Sequence, residues 1–187
     1  MPSPLGHAIA GLAVHVVASR RRQELFDWPR VTLTVGAALC PDLDLLLRWV
    51  DGRNHHGGAM HGAGFAVLVA GLVAAWAFAR GWPRPAPLGL AAGFAWSSHI
   101  LLDYLNVDTH PPIGILALWP FSGAYYKFPW PIFLDIGRTL EWSTVLHNAL
   151  AAAWEAALLV PLLAWAWRYR TRNIEGGPWR EGSKAKP

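Results

Sequence analysis

The segment formed by residues 62–79 contains no charged side chain. Its length is close to the roughly 20 apolar residues that a helix needs to cross the hydrocarbon layer of a membrane. Four further apolar blocks can be drawn, at residues 5–18, 31–50, 88–105 and 143–167. The alternation of apolar blocks and polar connections predicts an all-α fold, a polytopic membrane helical bundle of about five helices.

The composition agrees with a membrane protein. Hydrophobic residues make up 53% of the 187 residues and charged residues 15%, whereas charged residues are about a quarter of a soluble domain. The chain also has 12 tryptophans, a residue that is favoured at the membrane–water interface. The net charge of +4 is modest, and the arginines adjoin apolar blocks. We therefore expect membrane lipid, and not nucleic acid, as the partner.

The chain is long enough for one domain. Residues 1–170 are predicted to form an integral membrane domain that carries the functional site, and residues 171–187 a basic cytoplasmic tail. Residues 106–141 are rich in proline and aromatic side chains, so this stretch is too broken to be one helix. The single cysteine, Cys40, excludes an internal disulfide and a thiolate zinc site within one chain.

The arginines suggest an orientation in the cell (inner) membrane. They are concentrated in alternate connections, at Arg20, Arg21, Arg22, Arg30, Arg80, Arg84, Arg168, Arg170 and Arg172. Because basic residues favour the cytoplasmic side, this distribution predicts five passes with these connections inside. The N-terminus, the loop after the second block and residues 106–141 would then lie outside.

With this orientation, histidines and aspartates from separate blocks reach the outer side at a similar depth. They are His7, Asp42, Asp44, His56, His61, His99 and Asp103. The orientation was assigned from arginines alone. The placement of all seven His and Asp residues on one side is therefore independent support for a functional site there. The pattern predicts a metal site on the extracytoplasmic side of the membrane.

Local spacing supports that prediction. His99 and Asp103 are four residues apart, which places both side chains on one face of a helix. A glycine-rich turn between His56 and His61 allows two imidazoles to converge. Pro41 predicts a break before Asp42 and Asp44, with the two carboxylates at the start of a half-helix. Imidazole and carboxylate together suit a divalent metal, Zn²⁺ ahead of Mn²⁺, with one to three ions bound.

Structural roles compete with metal binding. His99 and Asp103 can form a hydrogen-bonded pair, Asp42 can cap a helix, and isolated histidines such as His15 and His110 can be satisfied by neighbouring helices. Glu155 lies inside the fifth block, where it either pairs with a polar group or serves function. The participation of His55, Glu141 and His147 is left open.

Short motifs occur in a fixed order at residues 5–7, 40–44, 56–61, 98–103 and 118–122. In these motifs the chain resembles the YdjM-like family of membrane-bound, metal-dependent hydrolases, over residues 3–122. The resemblance implies a metal site related to that of zinc-dependent phospholipase C, with the seven residues named above as ligands. Two positions depart from the family pattern: Gly57 replaces a common arginine and Gly62 a serine. The missing arginine implies weaker phosphate contact, unless Arg53 or Lys127 substitutes for it.

The leading hypothesis is a phosphodiesterase-like or phospholipase-like hydrolase that cleaves a phosphoester or ester of a lipid-like substrate at the outer membrane face. Asp44 is the candidate catalytic residue, which would orient or deprotonate water. A proton- or metal-coupled transporter that uses intramembrane His and Asp is the alternative. However, only His15 and Glu155 are expected to lie deep, which favours the enzyme. A scaffold with a purely structural metal is a third interpretation.

Overall fold

The computed structural model describes residues 1–109 and 111–175. Five helices of at least 12 residues form the fold: α1 (Pro4–Ala18), α2 (Trp28–Leu39), α3 (Ala63–Ala79), α4 (Pro85–Tyr104) and α5 (Trp142–Glu175). Shorter helical turns lie at Arg22–Leu25, Cys40–Leu47, Arg48–Asp51 and Ala59–His61. The described residues contain isolated β-bridges but no strand. The prediction of an all-α bundle is confirmed.

The predicted break in the second block lies at the boundary of α2. This helix ends at Leu39, and the chain continues as a 3-10 helix over Cys40–Leu47. Pro41 has no N–H group with which to extend the hydrogen bonds of α2, and this lack ends the regular helix. Asp42 and Asp44 therefore lie in a tighter 3-10 helix, and not in the α-helical half-helix that was predicted.

Helices α3 and α4 pack at very short range through small residues. A Cβ atom added to Gly89 would lie 2.7 Å from Cβ of Ala74, and one added to Gly93 would lie 2.8 Å from Cβ of Ala70. Close approach of this kind brings backbones together and is frequent where helices associate in membranes. It also holds the C-terminal half of α4, which carries His99 and Asp103, beside the loop that precedes α3.

Helix α1 contacts α2, α4 and α5. Its approach to α2 depends on Gly11, where an added Cβ would lie 2.7 Å from Cβ of Ala38. Ala38 belongs to a core cluster that also includes Ala92 and Ala95 of α4. The apolar interior is thus built largely from small side chains, which allows polar groups on these helices to come close together.

Glu155 of α5 is fully buried and has a structural partner. The backbone N–H of Ser3 donates to Oε1 of Glu155 at 2.7 Å, and the Ser3 hydroxyl donates to Oε2. The first N–H groups of a helix lack partners within the helix. The Glu155 carboxylate therefore links the start of α1 to the middle of α5 by hydrogen bonds. This contact favours pairing with a polar group over a functional role for Glu155.

Helix α5 carries the strongest membrane signal. Within the described chain, Trp142–Ile174 is the one helix long and apolar enough to cross a membrane, and 22% of its most apolar stretch is buried inside the protein. Helices α1 and α3 are apolar but shorter; a 15-residue helix such as α1 is about 22 Å long, against about 30 Å of hydrocarbon. The five-pass topology stays a prediction.

The C-terminal end of α5 differs from its predicted limit. The helix continues beyond residue 167 to Glu175, because the ring of Tyr169 stacks on Trp165 with centroids 5.5 Å apart and the Arg170 side chain donates to the carbonyl of Ser19. Most of the predicted tail, residues 176–187, and His110 lie outside the described residues.

Candidate metal centre

Five parts of the chain bring their histidines and aspartates to one place. His7 comes from α1 and His99 with Asp103 from α4. Two shorter 3-10 segments and the loop between them supply the rest: Asp42, Asp44, His56 and His61. All seven side chains named from the sequence therefore meet in a single cluster. Its position is held partly by Trp96, whose indole N–H donates to the carbonyl of Met60 at 2.7 Å.

The cluster contains two groups with the spacing of metal ligands. One consists of Asp42, His56, His61 and Asp103, and the other of His7, His99 and Asp103. In each group, one ligand atom per residue lies within 4.8 Å of every other. Asp103 belongs to both groups, so its two carboxylate oxygens could serve two ions.

Asp103 lies between three imidazoles. Its Oδ2 is 3.0 Å from Nε2 of His99 and 3.1 Å from Nε2 of His61, and its Oδ1 is 3.6 Å from Nε2 of His7. The carboxylate side chain is 3% exposed. The contact with His99 follows from their spacing of four residues on α4, whereas the other two contacts depend on packing between elements.

His99 is oriented by a backbone group. Its Nδ1 lies 2.7 Å from the carbonyl oxygen of Ala38, and because a carbonyl can only accept, Nδ1 carries the proton. The Nε2 lone pair is then directed at the cluster, as in metal-binding histidines that donate their second N–H to a carbonyl. The His7 ring stacks on His99 with centroids 3.7 Å apart.

Asp44 lies behind two of the histidines. Its Oδ2 is 3.1 Å from Nδ1 of His61, and its Oδ1 is 3.2 Å from Nδ1 of His56. Asp44 is in neither ligand group; its predicted roles as metal ligand and catalytic residue stay predictions.

Several buried atoms of the cluster have close neighbours but no partner in hydrogen-bond geometry in the described structure. They are Oδ1 of Asp42, Oδ2 of Asp44, Nδ1 of His61, both carboxylate oxygens of Asp103 and both ring nitrogens of His7. Buried polar atoms are normally paired, because leaving them unpaired costs free energy. Unpaired imidazole and carboxylate lone pairs that face one another are the donor set that Zn²⁺ or Mn²⁺ accepts. The residues present therefore fit a divalent cation.

The charges of the cluster also favour a cation. Burial alone lowers the pKa of His61, but the carboxylates of Asp103 and Asp44 outweigh it and raise the pKa to about 10. The carboxylates thus stabilise added positive charge at the cluster.

The other histidines in the described part of the chain, and Glu141, lie outside the cluster. His55 pairs with Asp51 at 2.6 Å on an exposed turn, and His147 contacts Asp135 at 3.3 Å. His15 is buried next to the turn after α1. Glu141 is exposed. None of these four belongs to either ligand group.

Two glycines that depart from the family pattern have a structural explanation. Gly57 has φ of +76°, and an added Cβ would lie 2.9 Å from the carbonyl oxygen of Gly114. A Cβ on Gly62 would lie 2.7 Å from Cβ of Trp119. A side chain at either position would separate the histidine loop from the segment that follows α4.

A cleft opens beside the cluster. His56 and Asp103 form one side of it, and Asn106 and Arg138 lie along the rest. Neither Asn106 nor Arg138 was singled out from the sequence. Asn106 could have been found because it follows Asp103 by three residues at the end of α4, but nothing local to Arg138 indicates that it faces this cleft.

The family described as YdjM inner membrane protein matches residues 1–174. The chain belongs to this family. The match extends well beyond the motifs at 3–122 and includes all seven cluster residues as well as α5. As a member of the YdjM family, the protein falls among inner membrane proteins, which agrees with its long apolar α5. No curated protein and no solved structure matches this YdjM-family chain.

Proposed function

We propose that the protein is a membrane-bound, metal-dependent hydrolase that cleaves a phosphoester or ester bond of a lipid-like substrate at the outer membrane face. The observation that carries the proposal is the pair of His/Asp groups that share Asp103 and hold buried, unpaired lone pairs. Paired ligand sets with a common carboxylate suit two-metal hydrolysis. Membership of an inner membrane family supports a substrate of the lipid bilayer.

The ligands of the proposed centre are the members of the two groups: Asp42, His56, His61 and Asp103 in one, and His7, His99 and Asp103 in the other. When bound, a divalent ion supplies Lewis-acid chemistry that lets water ionise near neutral pH and offsets charge on the reacting phosphoryl or acyl group. The three carboxylates leave the site net negative before loading even when His61 is protonated, which favours exchange of that proton for a metal cation.

The chain's own residues orient the ligands and accept a proton. Ala38 holds His99 through Nδ1, and Asp44 holds the rings of His56 and His61. Because both oxygens of Asp44 face imidazoles, we assign it a positioning role. Asp42 has the most accessible carboxylate of the three, with 16% of its side chain exposed. The Asp42 oxygen that does not act as a ligand is therefore our candidate to accept a proton from water.

Elemental analysis of the detergent-purified protein tests the centre. The wild type should retain about one ion for each ligand group after exposure to Zn²⁺ or Mn²⁺, and a His99→Ala/Asp103→Asn variant should retain none. His55→Ala is the matched control, because His55 lies outside both groups, and it should bind as the wild type does. An equal metal content in the double variant and the wild type would refute the centre.

Hydrolysis is tested on the loaded protein with phospholipids and other lipid phosphates. We expect turnover by the wild type and by His55→Ala, and loss of turnover in the double variant with helical content retained. Full activity in the double variant would exclude this centre as the catalytic site. Uptake of metal or protons by proteoliposomes, without turnover of any lipid, would support the transporter instead.

A further inference from the structure

The cleft beside the cluster has a defined set of polar groups. It is bordered by His56, Asp103, Asn106, Asp108, Asp135 and Arg138. Its enclosed volume of about 30 Å³ holds roughly two water-sized groups, since one such group needs about 10–15 Å³. The cleft therefore has room for a small polar group, such as one oxygen-bearing end of a headgroup, but not for an acyl chain.

Arg138 supplies a cation that no carboxylate neutralises in the described structure. Its Nη2 contacts Sδ of Met1 at 3.3 Å, and a thioether sulfur is a weak acceptor. The two acidic neighbours have other contacts: Oδ2 of Asp108 accepts from the N–H of Gly114, and Oδ1 of Asp135 lies 3.3 Å from His147. The guanidinium of Arg138 is thus available for an anion.

The side-chain oxygen of Asn106 is an acceptor that receives no hydrogen bond in the described structure. Its side chain is 1% exposed, its Nδ2 donates to the carbonyl of Val107 at 2.6 Å, and its Oδ1 has no hydrogen-bond partner in the described structure. A buried amide oxygen normally accepts a hydrogen bond. Because Asn106 borders the cleft, we expect a small shift of its side chain to let a ligand hydroxyl satisfy this atom.

The residues suggested from the sequence for phosphate contact do not reach this cleft. Arg53 is exposed and does not border it, and Nζ of Lys127 donates to the carbonyl of Asp108 at 2.7 Å. Among the described arginines and lysines, Arg138 borders the cleft. His56 and Asp103 of the cluster border the same cleft. A guanidinium can also bind two phosphate oxygens at once, which an ammonium group cannot.

We infer that this cleft admits one phosphoryl oxygen and one hydroxyl of a hydroxyl-bearing phosphate ester, with Arg138 as the anion-binding residue and Asn106 as the acceptor for the hydroxyl. The inference rests on the proposed function, because it names the substrate class for the same centre. It selects a phosphoester over a carboxylic ester, since a carboxylic ester carries no negative charge for Arg138 to bind.

Calorimetric titration of the zinc-loaded protein with inorganic phosphate and with glycerol 3-phosphate tests the inference. Glycerol 3-phosphate should bind the wild type more tightly than phosphate, because only it carries a hydroxyl. Arg138→Gln should weaken both ligands at least tenfold at unchanged zinc content, and Arg138→Lys should restore part of the loss. Arg48→Gln, which removes an exposed arginine outside the cleft, should bind both as the wild type does.

Wild-type affinity in Arg138→Gln, absence of binding by the zinc-loaded wild type, or a loss that follows Arg53→Gln instead would each overturn the inference. In the first and third cases the zinc content and lipid turnover can still support the hydrolase. Conversely, phosphate binding that depends on Arg138 in a protein that hydrolyses no lipid would support the anion site and count against the hydrolase. The two proposals can therefore fail separately.

Discussion

Oδ2 of Asp44 lies 3.1 Å from Nδ1 of His61, while the other ring nitrogen of His61 lies 3.1 Å from Oδ2 of Asp103. The imidazole is thus held between two carboxylates, one on each nitrogen. A carboxylate on the outer nitrogen of a metal-binding histidine fixes the ring and makes the inner nitrogen a better ligand. In the proposed centre, this arrangement would separate a ligand, Asp103, from a positioning residue, Asp44.

Replacing Asp44 with asparagine should weaken metal binding without abolishing it. Loss of such a supporting carboxylate typically lowers affinity about 10–100-fold, so the variant should still fill at high metal concentration. Competition with a chromophoric chelator measures the affinity, and Asp103→Asn provides the comparison, with loss of binding expected. If Asp44→Asn loses metal as completely as Asp103→Asn, then Asp44 is a direct ligand.

Gly89→Ala should destabilise the protein, because its new Cβ would lie 2.7 Å from Cβ of Ala74 on α3. Overpacking of this kind costs about 1–3 kcal/mol. Gly71→Ala is the matched control on the facing helix: nothing lies within 4 Å of its added Cβ, and alanine is the better helix former by roughly 0.5–1 kcal/mol. Thermal unfolding in detergent should separate the two variants, and equal melting temperatures would contradict the close packing of α3 on α4.

Ser3 and Glu155 should be energetically coupled. Glu155→Gln places an amide N–H₂ where two donors from Ser3 need acceptors, and a buried unpaired group costs about 1–3 kcal/mol. Ser3→Ala removes one of those donors, so the double variant should lose less than the sum of the two single losses. Unfolding free energies of the four proteins measure the coupling, with exposed Glu141→Gln as a neutral control. Strict additivity would show that the contact contributes nothing.

Glu24 should make stability depend on pH. Its carboxylate pairs with Arg84 at 2.6 Å and accepts from the N–H of Arg20 at 2.7 Å. Burial alone raises the pKa of Glu24, but these donors outweigh it and hold the pKa below 4.5. The contribution to stability is therefore complete above the unfolded-state value and is lost as pH falls through the folded-state value.

The wild type should accordingly melt at a higher temperature than Glu24→Gln at about pH 7, and the difference should shrink as the pH falls from about 5 to about 3. Melting temperatures over this range give the result. The exposed Glu141→Gln variant should show no such trend. A difference between wild type and Glu24→Gln that does not change with pH would contradict the lowered pKa.

Local features of the fold follow from the sequence. Apolar blocks predict the five long helices, because a helix needs a run of residues with compatible side chains; α5 continues past one internal proline, Pro161. Pro41 predicts the end of α2, and the spacing of His99 and Asp103 predicts their contact. Each of these depends only on the geometry of one short segment, with its repeat of 3.6 residues. The seven cluster residues could be named from the sequence because the order of the apolar blocks places each of them on the same side of the bundle.

Only the tertiary structure determines which contacts each of these polar residues makes. Asp103 is shared by two ligand groups, Asp44 supports His61, Glu155 binds Ser3, and Arg138 faces the cleft although no local pattern marks it. Each of these relationships joins segments distant in sequence, so it depends on how closely helices pack and on which small residues permit that approach. The period of a single helix determines which face a side chain occupies, but only the packing of several helices determines which atoms meet.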